Sequence, residues 1–393
     1  MLAVAMGQLV NGLSAFFEPL EAELGWSRSE IALINTAGLI GLALGGIVMG
    51  LLADRVRIRI VSLSGAIVTG ASTIAAAQSN SLAEFYVIFF LAGAFGGGAL
   101  FAPLFALVGG WFRTGAGLAI GIVAAGQAVG QGGIPLLNTV LIQTFGWREA
   151  FVVSGCAALV VLVTMALLLK EPPRAPGHIA TRPSAAQPSI SLTVSIPLLS
   201  AATLFCCSLM AVPLMHLMPL IQGCGIAAPD AGGALFVMML SAIAGRLAFG
   251  KLADRIGAVR AYFVASAWQT LLVFGFTMLG DVGDFYVFAP IYGFGYGGVM
   301  TCVLTTIGAL APANQRSGAT GIILAFAWAG HGLGGFLGGA FFDLTLNYEL
   351  AFLAAAMAGC VNLAILAVLW RLTSETDAKR AELPVSAAEP VRA

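Results

Sequence analysis

GLLADR at residues 50–55 returns as GKLADR at residues 250–255. Outward from this pair, EFYV at 84–87 returns as DFYV at 284–287, and Gly93, Gly97 and Gly98 return as Gly293, Gly297 and Gly298. RTGA at 113–116 returns as RSGA at 316–319, and GWREAF at 146–151 is echoed by NYELAF at 347–352. Every offset lies between 200 and 203 residues, which is the mark of an internal duplication. The chain divides into an N-terminal half at 1–170, a linker at 171–195, a C-terminal half at 196–371 and a tail at 372–393.

The composition says where such a duplicated chain resides. Of its 393 residues 59% are hydrophobic, only 9% are charged, and mean hydropathy is +0.97. A soluble domain carries about 25% charge, so a water-soluble enzyme and a disordered scaffold are excluded. Net charge is zero and no basic patch stands out, so nucleic acid is not a partner. Glycine, at 50 residues, is spread through the apolar runs, where it lets helix backbones approach closely in lipid. The six cysteines (156, 206, 207, 224, 302 and 360) form no Cys-x-x-Cys pair and read as small buried hydrophobes. No metal or cofactor constellation is readable. Gly330-x-Gly332-x-x-Gly335 matches a dinucleotide fingerprint in letters but lies inside an apolar run with no preceding strand. The chain is therefore not read as an enzyme, and no cofactor is expected.

A hydrocarbon core of about 30 Å takes roughly 20 apolar residues per helix. Twelve stretches qualify, near 1–20, 29–52, 60–78, 83–107, 115–143, 148–170, 196–222, 230–252, 260–280, 284–310, 317–342 and 349–371. The first has no basic leader and reads as a true span. Arg55, Arg57, Arg59, Arg113, Lys170, Arg174, Arg182, Lys251, Arg255, Arg260, Arg316 and Arg371 all fall on one side, and so do the basic residues of the tail. Arg28 and Arg148 fall opposite. By the positive-inside rule both termini are cytoplasmic. The expected fold is all-α: twelve transmembrane helices in two pseudo-symmetric six-helix halves. The expected setting is the plasma (inner) membrane, with the lipid bilayer as surroundings and a monomer as the working unit. The Pro-, Ala- and Ser-rich linker and the polar tail are expected to pack no core.

Gly50-x-x-x-Asp54-Arg55 with Arg59, and Gly250-x-x-x-Asp254-Arg255 with Arg260, resemble the loop signature of the major facilitator superfamily. Arg57 departs from it, standing where the C-terminal half has Gly257. PLEAELGWSRSEI at 19–31, and Trp111-Phe112 followed by Gly117-Leu118-Ala119-x-Gly121 and Ala125-Gly126, resemble the monocarboxylate transporter branch and its oxalate/formate relatives. The resemblance implies a secondary transporter of small organic anions, lactate- or pyruvate-like, working by alternating access with proton symport. The alternative within transport is exchange of another metabolite, or movement of a drug-like or vitamin-like molecule.

Two functional readings follow. Spans 5 and 11 start on the loop-motif face, with Thr114 and Ser317 as natural caps. Asp54, Arg55, Arg59, Asp254 and Arg255 are then gating residues, with Asp54 facing the N-terminus of span 11 and Asp254 that of span 5. Residues that differ at matched repeat positions are the site candidates. Arg246 matches Gly46, so the scaffold does not need its charge. An arginine inside a span costs roughly 2.5–3.5 kcal/mol on insertion scales. It either grips a substrate carboxylate or snorkels to the near interface. The resemblance places a substrate-binding arginine here. It also places a carboxylate at Ala242 and a lysine at Asn11, so a coupling proton needs another carrier, and His331, one turn from Trp328, is the best placed. His216 lies between Pro213 and Pro219, and Glu18 reads as interfacial. Asn11, Ser14 and Glu18 share a face of span 1, Gln127, Gln131 and Asn138 a face of span 5, and Tyr292 and Tyr296 a face of span 10. These polar faces are expected to line a central pocket.

Overall fold

Ser27 fixes the first long helix. Its hydroxyl accepts the Glu30 N–H at 3.3 Å, and the Glu30 carboxylate accepts the Ser27 N–H at 2.9 Å. This reciprocal cap starts Arg28–Arg55, span 2. A computed structural model describes residues 1–111, 116–170, 190–311 and 316–382 of the chain, with the side chains of all but 54, 106, 109, 110, 116–121, 316–318 and 376–382. After span 2 come span 3 (Ile58–Ala76), span 4 (82–111), span 5 (Ala116–Phe145) and span 6 (Trp147–Leu168). The second set is span 7 (Leu192–Gly223), span 8 (Ala228–Ile256), span 9 (Ala258–Val273, closed by a 3-10 turn at Phe274–Met278), span 10 (Val282–Leu310), span 11 (Arg316–Thr345) and span 12 (Glu349–Glu382). Among the described residues there is no strand, and ten helices are long and apolar enough to cross a bilayer. Span 5 and the interrupted segment at 2–24, span 1, pack beside them.

Three boundaries differ from the sequence reading. Span 1 is not one helix: Leu2–Met6 gives way to a π-helical turn at Gly7–Asn11, a 3-10 turn at Gly12–Phe16 and a helix at Phe17–Leu24. Glycine opens each irregular piece. The freed carbonyls are taken by neighbouring amides, because hydrocarbon offers no water to take them. Asn35 Nδ2 donates to the Leu9 and Val10 oxygens at 3.3 and 2.8 Å, and Asn138 Nδ2 donates to Gly12 at 3.4 Å. Span 7 starts at Leu192, inside the stretch read as linker; residues 171–189 lie outside the described residues. Span 12 runs to Glu382, well into the stretch read as tail. Its Ala, Glu, Lys and Arg are good helix formers, and extending a helix already nucleated is easy.

The echoes mark the closest backbone contacts. A Cβ on Gly45 of span 2 would overlap the Ala94 carbonyl of span 4, and one on Gly245 of span 8 would overlap the Phe294 carbonyl of span 10. Both pairs stand at offset 200. The duplication thus preserves the contact that lets each half pack.

We call the face holding Met1, the end of span 12 and the two GxxxDR loops proximal, and the opposite face distal. On the distal face the halves are closed together. Asp343 at the end of span 11 accepts the Arg28 N–H at 3.0 Å and the Ser29 N–H at 2.9 Å. The Arg28 guanidinium pairs with Glu21 at 3.1 Å, lies 3.7 Å over the Phe342 ring and donates to the Tyr348 hydroxyl at 2.7 Å. Tyr348 sits in the turn before span 12, where burial raises its hydroxyl above the usual phenol range and keeps it a neutral donor. It faces His216 Nδ1 at 3.3 Å, and His216 Nε2 faces the Gly335 carbonyl at 2.8 Å. One tautomer satisfies the chain: Nε2–H donates to Gly335 and Nδ1 accepts from Tyr348. Thr36 of span 2 donates to Gly332 of span 11 at 2.9 Å, and Gly132 of span 5 abuts Phe236 of span 8.

A carboxylate on a helix N-terminus of the opposite half therefore stands on the distal face. Of the expected proximal pairing, Asp254, Arg55, Arg59 and Arg255 are exposed. The side chains of Asp54 and Ser317, and the whole of Thr114, lie outside the described residues.

Gly245→Val should lose monodisperse protein on size exclusion, because a branched side chain cannot fit against a backbone; overpacking of this kind costs about 1–3 kcal/mol or more. Asp343→Asn should weaken distal closure by about 1 kcal/mol, roughly a fivefold population shift. In a Cys-free background carrying Ala32→Cys, a membrane-impermeant maleimide should then label faster by that factor.

Candidate substrate site

Arg246 stands ten residues before the end of span 8, about 15 Å of helix from the proximal end. It is half-buried, and its Nη1 donates across the half–half boundary to the Ala124 carbonyl of span 5 at 2.9 Å. Its Nε is buried without a partner. Among the described residues the ion pairs are Arg28–Glu21 and Arg148–Glu23, so no described acid neutralises Arg246. The side chain neither runs out along span 8 nor pairs with a carboxylate. It spends one nitrogen on a neutral carbonyl and keeps Nε, part of the edge that grips a carboxylate side-on, unengaged.

Tyr296 of span 10 is buried and close enough to Arg246 to interact electrostatically. Tyr292, one turn away, turns its ring to Phe276 of span 9 at 5.2 Å and leaves its hydroxyl without a partner. Trp328 of span 11 meets Phe101 of span 4 edge-to-face at 5.6 Å, a second contact between the halves. His331 lies 5.7 Å from Trp328, and its Nδ1 lies 3.2 Å from the Ala327 carbonyl of its own helix.

The N-terminal half contributes amides. Asn11 is fully buried at the junction of the π and 3-10 turns, and neither its Nδ2 nor its Oδ1 has a partner. Gln127 and Gln131 are buried on span 5, and Gln131 Oε1 is also unpartnered. An orphaned buried polar group costs about 1–3 kcal/mol, and such atoms also occur elsewhere in the bundle, at Ser62, Gln269 and Asn362 among others. Asn138, on the same face, donates to the span 1 backbone, and its Oδ1 has no partner. Sequence reading missed Asn35, Asp343 and the Ala124 carbonyl. Asp343 could have been found by the repeat, because the offset of 201 set by GWREAF and NYELAF pairs it with the apolar Ile142.

Residues 1–323 match the family model for the Major Facilitator Superfamily. The chain belongs to that superfamily. Among its relatives, the MFS-type transporter pynF of Aspergillus niger is 26% identical over 316 residues, 78% of this chain and 70% of that protein. Monocarboxylate transporter 3 of Rattus norvegicus is 26% identical over 358 residues, 88% and 73% respectively. Monocarboxylate transporter 1 of Homo sapiens aligns over a shorter stretch, 28% identical across 158 residues, which is 40% of this chain and 32% of that protein. The fold is similar to that of the solved nucleoside transporter NupG, with a TM-score of 0.74 at 11% identity, covering 93% of this chain and 98% of that one.

For a major facilitator carrier, a cation at a half–half boundary has a double relation to stability. If Arg246 serves the solute and not the scaffold, Arg246→Met should keep or raise the thermal midpoint of purified protein in detergent, because burying an unpaired charge is costly. A fall of many degrees would instead mark Arg246 as a packing residue.

Proposed function

We propose that the chain is a monomeric plasma-membrane carrier for small organic anions, of lactate or pyruvate size, that works by rocking its two halves around a site at their boundary. The proximal face is cytoplasmic in this reading, since it gathers the basic loops. The halves comprise spans 1–6 and spans 7–12. The observation that carries the proposal is Arg246, a half-buried guanidinium with a neutral partner and a free Nε, reaching from span 8 to span 5. A carboxylate would compete well for it, because a charge-assisted pair is roughly twice as strong as a neutral hydrogen bond. Moving Arg246 off the Ala124 carbonyl would also remove a bond between the halves, which ties solute binding to their relative motion.

The rest of the solute is assigned to neutral groups. Asn11, Gln127 and Gln131 offer amides from one half, and Tyr292, Tyr296, Trp328 and His331 offer rings and hydroxyls from the other. A hydroxy or oxo group beside the carboxylate would satisfy the orphaned atoms of Asn11 and Gln131. Asp54 and Asp254, with Arg55, Arg59 and Arg255, are proposed as the proximal gate that alternates with the distal closure. Proton symport is the favoured drive, with His331 as a carrier. A second reading is anion exchange without protons; it is favoured by Ala242 and Asn11, which are neutral where the monocarboxylate resemblance calls for charge.

The test is uptake of labelled lactate, pyruvate, formate and oxalate into proteoliposomes, with and without a pH gradient. Arg246→Lys keeps the charge but loses the planar fork, and should lower kcat/KM about tenfold; Arg246→Ala should lower it about a hundredfold. If no carboxylate moves and Arg246→Ala carries a neutral solute at the wild-type rate, the anion reading is wrong.

A further inference from the structure

The distal seam between the halves is unequal on its two sides. Where spans 2 and 11 meet, Asp343, Arg28 and Tyr348 tie it. Where spans 5 and 8 meet, a cavity of about 360 Å³ takes the place of such a tie, lined by Glu18, Thr139, Gln143 and Gln222, with Ala15 and Ala228 among its apolar walls. Span 5 carries no Asp or Glu, so no carboxylate reaches from it to span 8 here. The acid present comes from span 1.

Glu18 differs from the other acids around it. Glu21 is paired with Arg28, and Glu23 with Arg148 and the Trp147 indole. Glu30 caps span 2, and Asp343 holds two backbone N–H groups. Glu18 Oε2 accepts from the neutral Gln222 amide at 2.6 Å, across the boundary between the halves, and no described cation stands within ion-pair distance of it. The charged groups that reach it are more remote: Arg28 from span 2 and Glu21 from its own helix. From span 7, His216 lies edge-on to the neighbouring Phe17, with both ring nitrogens engaged. Span 5 presents Thr139 and Gln143, and span 8 presents Ala228, with Asp230 in its first turn.

We propose that this notch is a proton-binding site at the distal mouth, with the Glu18 carboxylate as acceptor, and that its protonation loosens the distal seam. The step is simple: the carboxylate takes one proton from water at the distal face and becomes a neutral acid. No other covalent bond changes. The Gln222 contact passes from charge-assisted to neutral and loses roughly half its strength. The mouth also sheds a fixed negative charge. On the anion-carrier reading, which gives the site its purpose, both changes help an anion to enter. Glu18 is seven residues beyond Asn11 in span 1, with the 3-10 turn between them, so a shift at the mouth is passed along that turn toward the candidate site.

The experiment needs no substrate, so its outcome is separate from that of the carboxylate uptake test. In a Cys-free background, Ala15→Cys at the buried wall of the notch is labelled by a membrane-impermeant maleimide, with Glu18 intact and with Glu18→Gln. The ratio of the two rates at each pH cancels the titration of the thiol itself. At pH 7.5 the Glu18 protein should label about threefold more slowly than Glu18→Gln, and at pH 5.5 the difference should be smaller. In a Gln222→Leu background the difference should vanish at both pH values. A ratio that does not change with pH, or a pH step that survives Gln222→Leu, overturns the proposal. A ratio that follows sodium when choline replaces it at fixed pH also overturns it, because the cation would then be a metal ion.

Discussion

Lipid supplies no partner for a backbone N–H or C=O, and that constraint shapes each part of this molecule. It makes every span helical. It also means that any departure from regular helix must be met by another side chain. Span 1 departs most, through its π and 3-10 turns, and the amides of Asn35 and Asn138 hold its exposed carbonyls. The same rule governs the half-buried Arg246 at the half–half boundary. Arg246 cannot be solvated freely there, so it takes the Ala124 carbonyl.

Electrostatics is sorted by face. The distal cations Arg28 and Arg148 are each paired with an acid of span 1, so the distal face carries little net positive charge and the basic loops of the proximal face stand unopposed. The acids that neutralise them also anchor the end of span 1. Arg148 and Trp147 hold Glu23 within the N-terminal half, whereas Arg28 holds Glu21 and joins that corner to Tyr348 of the other half. Trp147 and Tyr348 are repeat partners, so one ancestral position now serves an internal anchor in one half and a bridge in the other.

The duplicated bundle was legible because close packing leaves residues that cannot drift. Gly45 and Gly245 face carbonyls, and any side chain there would collide. Arg246 stood out for the opposite reason: its repeat partner is Gly46, so the duplicated pattern does not call for a charge there. The break in span 1 was not legible. Gly7 and Gly12 permit it, but glycine occurs 50 times in this chain, so glycine alone marks no position. The distal closure was equally hidden. Asp343 and Arg28 are 315 residues apart, and each looks like an ordinary interfacial charge until the fold joins them. Reading along the sequence placed the carboxylate-to-helix contact on the loop-motif face, where the motif stands; the described contact depends on partners with no local pattern.

The two unequal sides of the distal seam give the molecule a sidedness that its pseudo-symmetry would not. Where spans 2 and 11 meet, a connected set of polar bonds joins the halves; where spans 5 and 8 meet, the halves pack mainly through glycine contacts at Gly132 and Gly232, and beside them the Glu18–Gln222 contact spans the distal notch. A carrier that rocks its halves would then separate first at the margin with fewer polar bonds and pivot about the other, like a book opened from its fore-edge. A solute arriving from that side would first meet span 1, the least regular of the helices.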